Sequence, residues 1–299
     1  MRSFLVLLFV IFLSLRSFAQ VGNEWINFNQ AYFKIPVAKE GIYRLGYSEL
    51  VAAGFPLSGT DPKKIQLFHR GMEQSIFIEG ENDSQLDPSD FIEFYGQKND
   101  GTLDAELYKP STAQPHKYYN LYSDTTSYFL TVATSNGKRM SSFYEENTGG
   151  LPAQAYHLDE RLVLLTNEYS AGIDYGQILN TFFDVGEGWM SGKIFQTQSV
   201  DYTLADILQG VTGGGPPELE LQIVGRGPMA HQVEIYVGTG LRLFATHNFS
   251  GFEPQTISSP IQWTDIAGDG KLTVRVKVNG VGGQPDRISL SYIKLKYPQ

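Results

Sequence analysis

Short runs in which apolar and polar residues alternate dominate this sequence, and Gly, Pro, Asn and Asp separate them. A period of two places successive side chains on opposite faces of a strand, so each run predicts a half-buried β-strand. The predicted strands cover residues 32–37, 42–45, 65–69, 75–79, 91–95 and 128–133, and then residues 156–165, 193–202, 218–224, 232–237, 241–248, 272–278 and 287–297. The pattern predicts a protein that is mainly all-β.

One short helix is predicted within the first group of strands. Ser48 is a favourable N-cap residue, and Glu49 suits the positive end of the helix dipole in the first turn. Gly54 and Pro56 end the helix, because glycine adopts the C-terminal left-handed conformation and proline cannot continue the hydrogen-bond ladder.

Residues 145–152 separate two predicted domains. Charge, a Gly-Gly pair and a proline occur together there without apolar periodicity, which is typical of a linker. A mature chain of this length exceeds the usual size of one hydrophobic core. We therefore expect a β-rich sandwich domain at residues 20–150 and a jelly-roll-like β-sandwich at residues 151–299.

Residues 1–19 predict a cleaved secretory signal peptide. Arg2 precedes an apolar run over residues 4–15, and the small residues Ser17 and Ala19 follow it. The run is shorter than the roughly 20 residues that span a bilayer, and no cysteine offers a lipid attachment point. The predicted mature protein is exported without a transmembrane segment, to the periplasm, the cell surface or the medium.

The predicted mature chain is acidic. The signal contains the basic residues Arg2 and Arg16 and no acid, which leaves 21 basic and 32 acidic side chains and a net charge of −11. Nucleic-acid binding needs clustered Lys and Arg to neutralise phosphates, and the longest basic run is Lys63-Lys64. A nucleic-acid partner is therefore not expected.

The sequence contains no recognisable catalytic motif. Without cysteine there is no thiolate nucleophile, and no Gly-x-Ser-x-Gly elbow or HExxH metal motif occurs. No spacing pairs the five histidines, which are His69, His116, His157, His231 and His247. We predict no catalytic residue, no cofactor and no activity of this chain alone, while a triad assembled by the tertiary fold remains an alternative.

The densest acidic cluster lies at residues 79–93. Asp83, Asp87 and Asp90 are oxygen donors of the kind that calcium prefers, but the EF-hand spacing is missing. An Asx turn that leads into the strand at residue 91 explains the same residues by hydrogen bonds to the backbone. The turn is the favoured interpretation, and a calcium site is the alternative.

Aromatic residues of the second predicted domain raise the possibility of glycan binding. Trp189, Trp263 and nearby tyrosines are able to stack on a sugar ring if their faces are exposed. Aromatic residues in strands more often pack in the core, which is the favoured interpretation. A stand-alone glycan-binding or surface-adhesion module is the alternative function that these residues suggest.

Three segments carry a resemblance to a known family. They are AKEGIYRLGYSELVAAG (38–54), KKIQLFHRGMEQSIFIEG (63–80) and DPSDFIEFYGQKNDGTLDAELYKPSTAQPHKYYNLYSDTTSYFL (87–130). They resemble the N-terminal region of gingipain-like cysteine peptidases of the C25 family, in particular the branch that acts in type IX secretion in Bacteroidetes. DRISLSYIKLKYPQ (286–299) is similar to the last strand of the β-sandwich that precedes the catalytic domain in these proteins.

The resemblance implies a non-catalytic role for this chain. In the family a caspase-like domain with a His-Cys dyad follows these β-domains, and neither member of the dyad matches a position here. The implied partners are a downstream or separate peptidase domain and type IX secretion components at the cell surface. By analogy with gingipain pro-regions, Arg139 on a loop would suit a cleft that prefers basic residues, although a solvated turn is the favoured interpretation of that loop.

Overall fold

The computed structural model describes residues 22–143, 149–150, 152–173, 181–281 and 285–299. Two compact units emerge from the backbone contacts: Met1–Lys98 with Thr125–Tyr144, and Asn99–Asp124 with Glu145–Gln299. The predicted domains at residues 20–150 and 151–299 followed chain order, whereas the contacts group Asn99–Asp124 with the second unit. The predicted signal at residues 1–19 lies outside the described residues, as does most of the predicted linker.

The first unit is built from two antiparallel sheets and one helix. Its four-stranded sheet has the order β1-β7-β3-β4, and its three-stranded sheet has the order β2-β6-β5. These elements are β1 (Phe33–Val37), β2 (Gly41–Gly46), α1 (Tyr47–Ala52), β3 (Ile65–His69), β4 (Met72–Gln74), β5 (Phe77–Ile78), β6 (Phe91–Gly96) and β7 (Thr126–Val132). Short 3₁₀ turns cover Pro62–Lys64 and Glu81–Asp83.

Alternation along the strands builds the core of the first unit. In β3, Ile65 and Leu67 are fully buried, and Leu67 lies opposite Leu130 of β7. Ile92 and Phe94 of β6 join the same buried cluster. Each fully buried aliphatic or aromatic side chain contributes about 1.5–3 kcal/mol to folding, so the sequence pattern and the packing indicate the same inward face.

Helix α1 forms where expected but begins differently. Its N-cap residue is Gly46 and no side chain caps it, so the prediction that Ser48 is the N-cap was wrong. Ser48 lies within the first turn, where its hydroxyl donates to the carboxylate of Glu49. The helix ends before Gly54, whose φ of 71° is the left-handed conformation expected after a helix.

The second unit contains two larger antiparallel sheets and a two-stranded ribbon. Strand β18 lies at the centre of one sheet, between β13 and the pair β8 and β11, while β16 flanks β13; the other sheet has the order β12-β17-β14-β15. The strands are β8 (Leu158–Leu164), β9 (Glu168–Ala171), β10 (Glu187–Met190), β11 (Ile194–Phe195), β12 (Ser199–Leu204), β13 (Glu218–Gly225), β14 (Ala230–Val237), β15 (Arg242–Ser250), β16 (Pro254–Pro260), β17 (Leu272–Val278) and β18 (Arg287–Pro298). Single 3₁₀ turns cover Thr102–Leu107, Ser111–Ala113, Thr212–Gly214 and Trp263–Asp265.

The inner faces of the two larger sheets form one buried cluster. Along β17 every second residue is buried, and Val276 lies opposite Ile235 of β14. From the facing sheet, Leu221 of β13 and Ile293 of β18 enter the same cluster and lie opposite each other in register. This arrangement confirms the predicted all-β sandwich class.

Residues of Asn99–Asp124 pack on the outer side of the sheet that contains β18. Tyr118 contacts the ring of Tyr292 edge-on at 4.7 Å, and the side-chain amide of Gln222 donates to the carbonyl of Pro115 at 2.8 Å. The burial pattern of β18 reflects this cover, because the strand is buried at nearly every position rather than at every second one. The segment thus completes the second unit, although it precedes β7 of the first.

Several strand predictions need correction. Residues 193–202 were predicted as one strand but form β11 and β12, because the chain turns at Thr197 with a φ of 69° and the two strands enter different sheets. The predicted strand at 75–79 shrinks to Phe77–Ile78. Strands β4, β9, β10 and β16 were not predicted. No helix within the described residues has the length and apolar character needed to cross a membrane.

Candidate functional site

The ribbon of β9 and β10 positions the most distinctive cleft of the second unit. Tyr169 lies opposite Trp189 in register, and their rings meet edge-to-face with centroids 5.4 Å apart. The Tyr169 hydroxyl also donates to the Glu187 carboxylate at 2.7 Å. Cross-strand aromatic contacts of this kind stabilise a short antiparallel pair.

Gly188 allows the ribbon to pack closely against Asn99–Asp124. Its φ is 142°, and a Cβ at this position would lie 2.9 Å from Cγ of Pro115. The hydroxyl of Tyr108 donates to the carbonyl of Glu187 at 2.8 Å, beside this contact. A side chain at position 188 would force the ribbon and the segment apart.

The cleft beside β9 has a volume of about 590 Å³. Six consecutive residues, 168–173, line one wall, so the backbone of β9 itself borders the cleft. The other lining residues are Lys193, Arg226, Pro228, Phe252 and Arg287. Three cationic side chains and one carboxylate, that of Glu168, therefore face this space.

Arg226 forms the buried floor of the cleft. It follows β13 directly, and only 8% of the residue is exposed. Its guanidinium donates to the Glu168 carboxylate at 2.7 Å and to the Ser289 hydroxyl at 2.9 Å. These bonds compensate for the loss of solvent around the buried charge.

Glu168 is shared by two cations. Besides Arg226, the ammonium of Lys193 lies 3.2 Å from the same carboxylate oxygen. Burial alone would raise the pKa of Glu168, but the hydrogen bonds from Arg226 and Lys193 outweigh it and hold the pKa below the ordinary value of 4.5. Glu168 is therefore ionised at neutral pH.

Arg287 adds a further positive charge at the mouth of the cleft. Its Nε donates to the carbonyl of Arg226 at 2.7 Å, and the residue is exposed. Across the ranges that the structure describes, no acidic side chain forms an ion pair with Arg287. The cleft consequently holds a net formal charge of +2 from its lining residues.

The fold pairs one histidine that the sequence did not. His231 is fully buried, and its Nδ1 lies 2.5 Å from a carboxylate oxygen of Asp286. Its Nε2 donates to the carbonyl of Gly251 at 2.9 Å, with Gly227 as a second acceptor at 3.2 Å. In a serine triad that nitrogen would accept the nucleophile's proton. Here two backbone carbonyls lie beside that nitrogen in place of a nucleophile, so the pair of His231 and Asp286 has a structural role in the core.

The other histidines have separate environments. His69 stacks on Tyr128 with centroids 4.1 Å apart, and burial together with the charge of Arg70 lowers its pKa. His116 contacts the rings of two tyrosines, His247 lies 3.3 Å from the amide oxygen of Gln255, and His157 is exposed. The described structure does not bring these histidines together as a site.

The aspartates at 83, 87 and 90 behave as turn residues. An oxygen of Asp83 accepts from the backbone N–H of Gln85 at 2.9 Å, and an oxygen of the buried Asp90 accepts from that of Asp87 at 2.8 Å. The bond of Asp83 is the one that the Asx-turn interpretation predicts, whereas Asp90 accepts from a backbone N–H three residues before it. Within the described residues, no group of three or more His, Cys, Asp or Glu side chains is arranged to hold a metal ion.

The two tryptophans of the glycan hypothesis lie apart and act in packing. The indole of Trp189 donates to the carbonyl of Leu121 at 3.0 Å, which ties β10 to Asn99–Asp124. The indole of Trp263 donates to the carbonyl of Gly215 at 2.9 Å and packs against the buried cluster of the sandwich. Both rings are half-buried, so neither offers an open platform.

Arg139 is anchored rather than solvated. Its Nε lies 2.6 Å from a carboxylate oxygen of Glu81, and its terminal nitrogens donate to the carbonyls of Pro62 and Ile65. The loop around Arg139 is exposed, as both interpretations expected, but the side chain itself is only 21% exposed and is bound by these contacts. The guanidinium ties the loop to the first unit.

The sequence did not single out the cleft residues. Lys193, Arg226 and Arg287 are isolated cations, and each lies at or next to the end of a strand. Strands β13 and β18 bring the last two together, since the backbone N–H of Arg226 donates to the carbonyl of Arg287 at 3.0 Å. Cations that flank strand ends are the only signal in the sequence, and it is weak.

Comparison with solved structures finds proteins of similar fold. No protein-family model and no curated protein matches the sequence. The solved structure of dimeric latent PorU from Porphyromonas gingivalis is similar over 90% of this chain, with 16% identity and a TM-score of 0.52. The chain spans 24% of the length of that protein.

A second solved structure gives a lower score. The CBM36-1 domain of a multidomain xylanase from the hindgut metagenome of Trinervitermes trinervoides matches 46% of this chain and 96% of that domain. The identity is 19% and the TM-score is 0.27. At that score the likeness supports no inference about this chain.

Proposed function

We propose that this chain forms the non-catalytic β-domains of a gingipain-like cysteine peptidase related to PorU. Its role is to support, orient or restrain a caspase-like catalytic domain. The observation that carries the proposal is the likeness to PorU, which extends over 90% of the chain and therefore over both units. The sequence resemblance to the N-terminal region of the same family supports it independently.

The chemistry of the chain agrees with a role in binding. The sequence contains no cysteine, so the nucleophile of the family must come from outside it. The buried pair of His231 and Asp286 directs its remaining nitrogen at backbone carbonyls. The chain would then act as an exported scaffold, with the peptidase domain and type IX secretion components at the cell surface as its partners.

The coding sequence gives the first test. We expect the reading frame that encodes this chain to continue, past the codon for Gln299, into a domain with a histidine–cysteine pair. A frame without such a domain would overturn the arrangement in one polypeptide and leave only association between separate chains.

A peptidase assay on the purified chain gives the second test. Activity at the level of buffer is expected against peptides with Arg or Lys before the scissile bond. Activity that a single Ser or His substitution abolishes would overturn the proposal.

Glycan binding stays a prediction. A broad glycan array on the purified chain tests it, and silence across the array would count against it. Because Trp189 and Trp263 carry structural hydrogen bonds, alanine variants at these positions need a check of folding before any loss of binding is interpreted.

A further inference from the structure

The cleft beside β9 carries a charge opposite to that of the chain. Lys193, Arg226 and Arg287 line it together with the single carboxylate of Glu168, whereas the predicted mature chain has a net charge of −11. Like charges held in one space without matching acids repel each other, and an anion relieves that repulsion. Charge complementarity therefore points to an anionic ligand.

The open edge of β9 indicates the shape of that ligand. Strand β9 pairs with β10 on one side, and within the described ranges no strand pairs with its other side. Residues 168–173 run consecutively along the wall of the cleft. An open strand edge presents backbone N–H and C=O groups that an extended peptide is able to pair with.

The remaining wall suits a peptide better than a bare anion. Phe252 and Pro228 add apolar surface to the lining of the cleft. In an extended peptide, alternate side chains lie about 7 Å apart on one face, so one face is able to present carboxylates and the other face apolar groups. A phosphate or sulfate alone would use the charge and leave the strand edge and the apolar surface unoccupied.

We propose that this cleft binds an extended acidic peptide, which adds a strand to the open edge of β9 and places its carboxylates against Lys193 and Arg287. Arg226 and Lys193 share the single negative charge of Glu168, and Arg287 forms no ion pair among the described residues, so the positive charge of the cleft exceeds its negative charge by two. The proposal does not depend on the presence of a peptidase domain. It assigns to the second unit a peptide-binding function of its own.

Isothermal titration of the full chain with a synthetic peptide tests the charge requirement. The probe is a capped peptide of about eight residues in which Glu alternates with Val. We expect the double variant Lys193→Ala and Arg287→Ala to bind it at least roughly tenfold more weakly. The matched control is Lys271→Ala with Arg275→Ala, which removes the same charge from two positions of the second unit that each have an acid of their own.

Two N-methylated versions of the peptide test the strand addition. Each is methylated at alternate residues, in opposite registers, so that each blocks one of the two edges of the peptide without changing its charge. One version is expected to lose binding and the other to keep it. Near-ultraviolet circular dichroism confirms that each protein variant is folded.

Four results would overturn the proposal: no binding of the peptide, equal loss in the control double variant, equal affinities of the two methylated peptides, or tighter binding of a heparin fragment than of the peptide. The last result would assign the cleft to an anionic polysaccharide instead.

Discussion

Cations on the sheet of β12, β14, β15 and β17 are arranged differently from those in the cleft. Arg275 lies directly opposite Asp201 of the neighbouring strand, and the two side chains approach within 2.6 Å. Lys277 lies opposite Glu234 at 3.1 Å in the same way. Each cation on this surface has its own acid, which is the pairing expected of a solvated sheet face.

In the cleft, two cations share one acid and a third has none among the described residues. Arg226 and Lys193 both contact Glu168, while Arg287 bonds to a backbone carbonyl. On the sheet face each of the two cations is neutralised by an acid of the same chain, so no excess charge remains there for a ligand to neutralise. Under the proposed peptide binding, the excess of cations over nearby acids, rather than the number of cations, distinguishes the cleft from the sheet face.

The largest effect is expected from Arg226→Met. It removes a buried guanidinium from Glu168 and Ser289, and we expect a loss of about 2–3 kcal/mol in the free energy of unfolding. Urea denaturation measures this loss. The control is Arg226→Lys, which keeps the positive charge but lacks the planar guanidinium that donates to two partners at once. A decrease of less than about 1 kcal/mol in the free energy of unfolding would show that the hydrogen bonds of Arg226 do not hold the floor of the cleft together.

An effect of intermediate size is expected when the cleft is acidified. Because the pKa of folded Glu168 is below 4.5, its ionised form stabilises the protein above pH 4.5, and this contribution is lost as the pH falls through the folded pKa. The stability difference between the native chain and Glu168→Gln should therefore shrink between pH 7 and about pH 3. Urea midpoints at the two pH values measure it, and a constant difference would contradict the ion-pair network.

The smallest effect is expected on the sheet face. Arg275→Ala removes one exposed, matched pair, and we expect the midpoint of thermal unfolding to stay within about 2 °C of the native value. Affinity for the acidic peptide should be unchanged. A stability loss as large as that of Arg226→Met would remove the distinction between the two regions.

The alternation of apolar and polar residues predicted the strands that have one face in a core and one face outside it. Residues 65–69 and 272–278 were predicted with their observed bounds, because each has one face in a core and one outside it. The alternation pattern failed where contacts between residues distant in the sequence determine the position of a strand. The turn at Thr197 divides residues 193–202 between two sheets, and glycine is required at position 188 of the short β10 because a Cβ there would lie too close to Pro115.

The candidate site was beyond the reach of sequence reasoning for a physical reason. Arg226 and Arg287 meet only because the pairing of β13 with β18 places Gly225 opposite Ile288, and Lys193 joins them from a third part of the chain. Asn99–Asp124 likewise has no local signal that assigns it to the second unit. Its partners, among them Trp189 and Gln222, lie far along the sequence.

The claim that this chain functions by binding a peptidase domain has a direct test. The purified chain is titrated into a separately produced caspase-like domain of a gingipain-like peptidase from the same genome, and heat of binding and peptidase rate are recorded together. Saturable association is the predicted result. No binding, together with an unchanged rate, would contradict the role of these β-domains as a scaffold or a restraint.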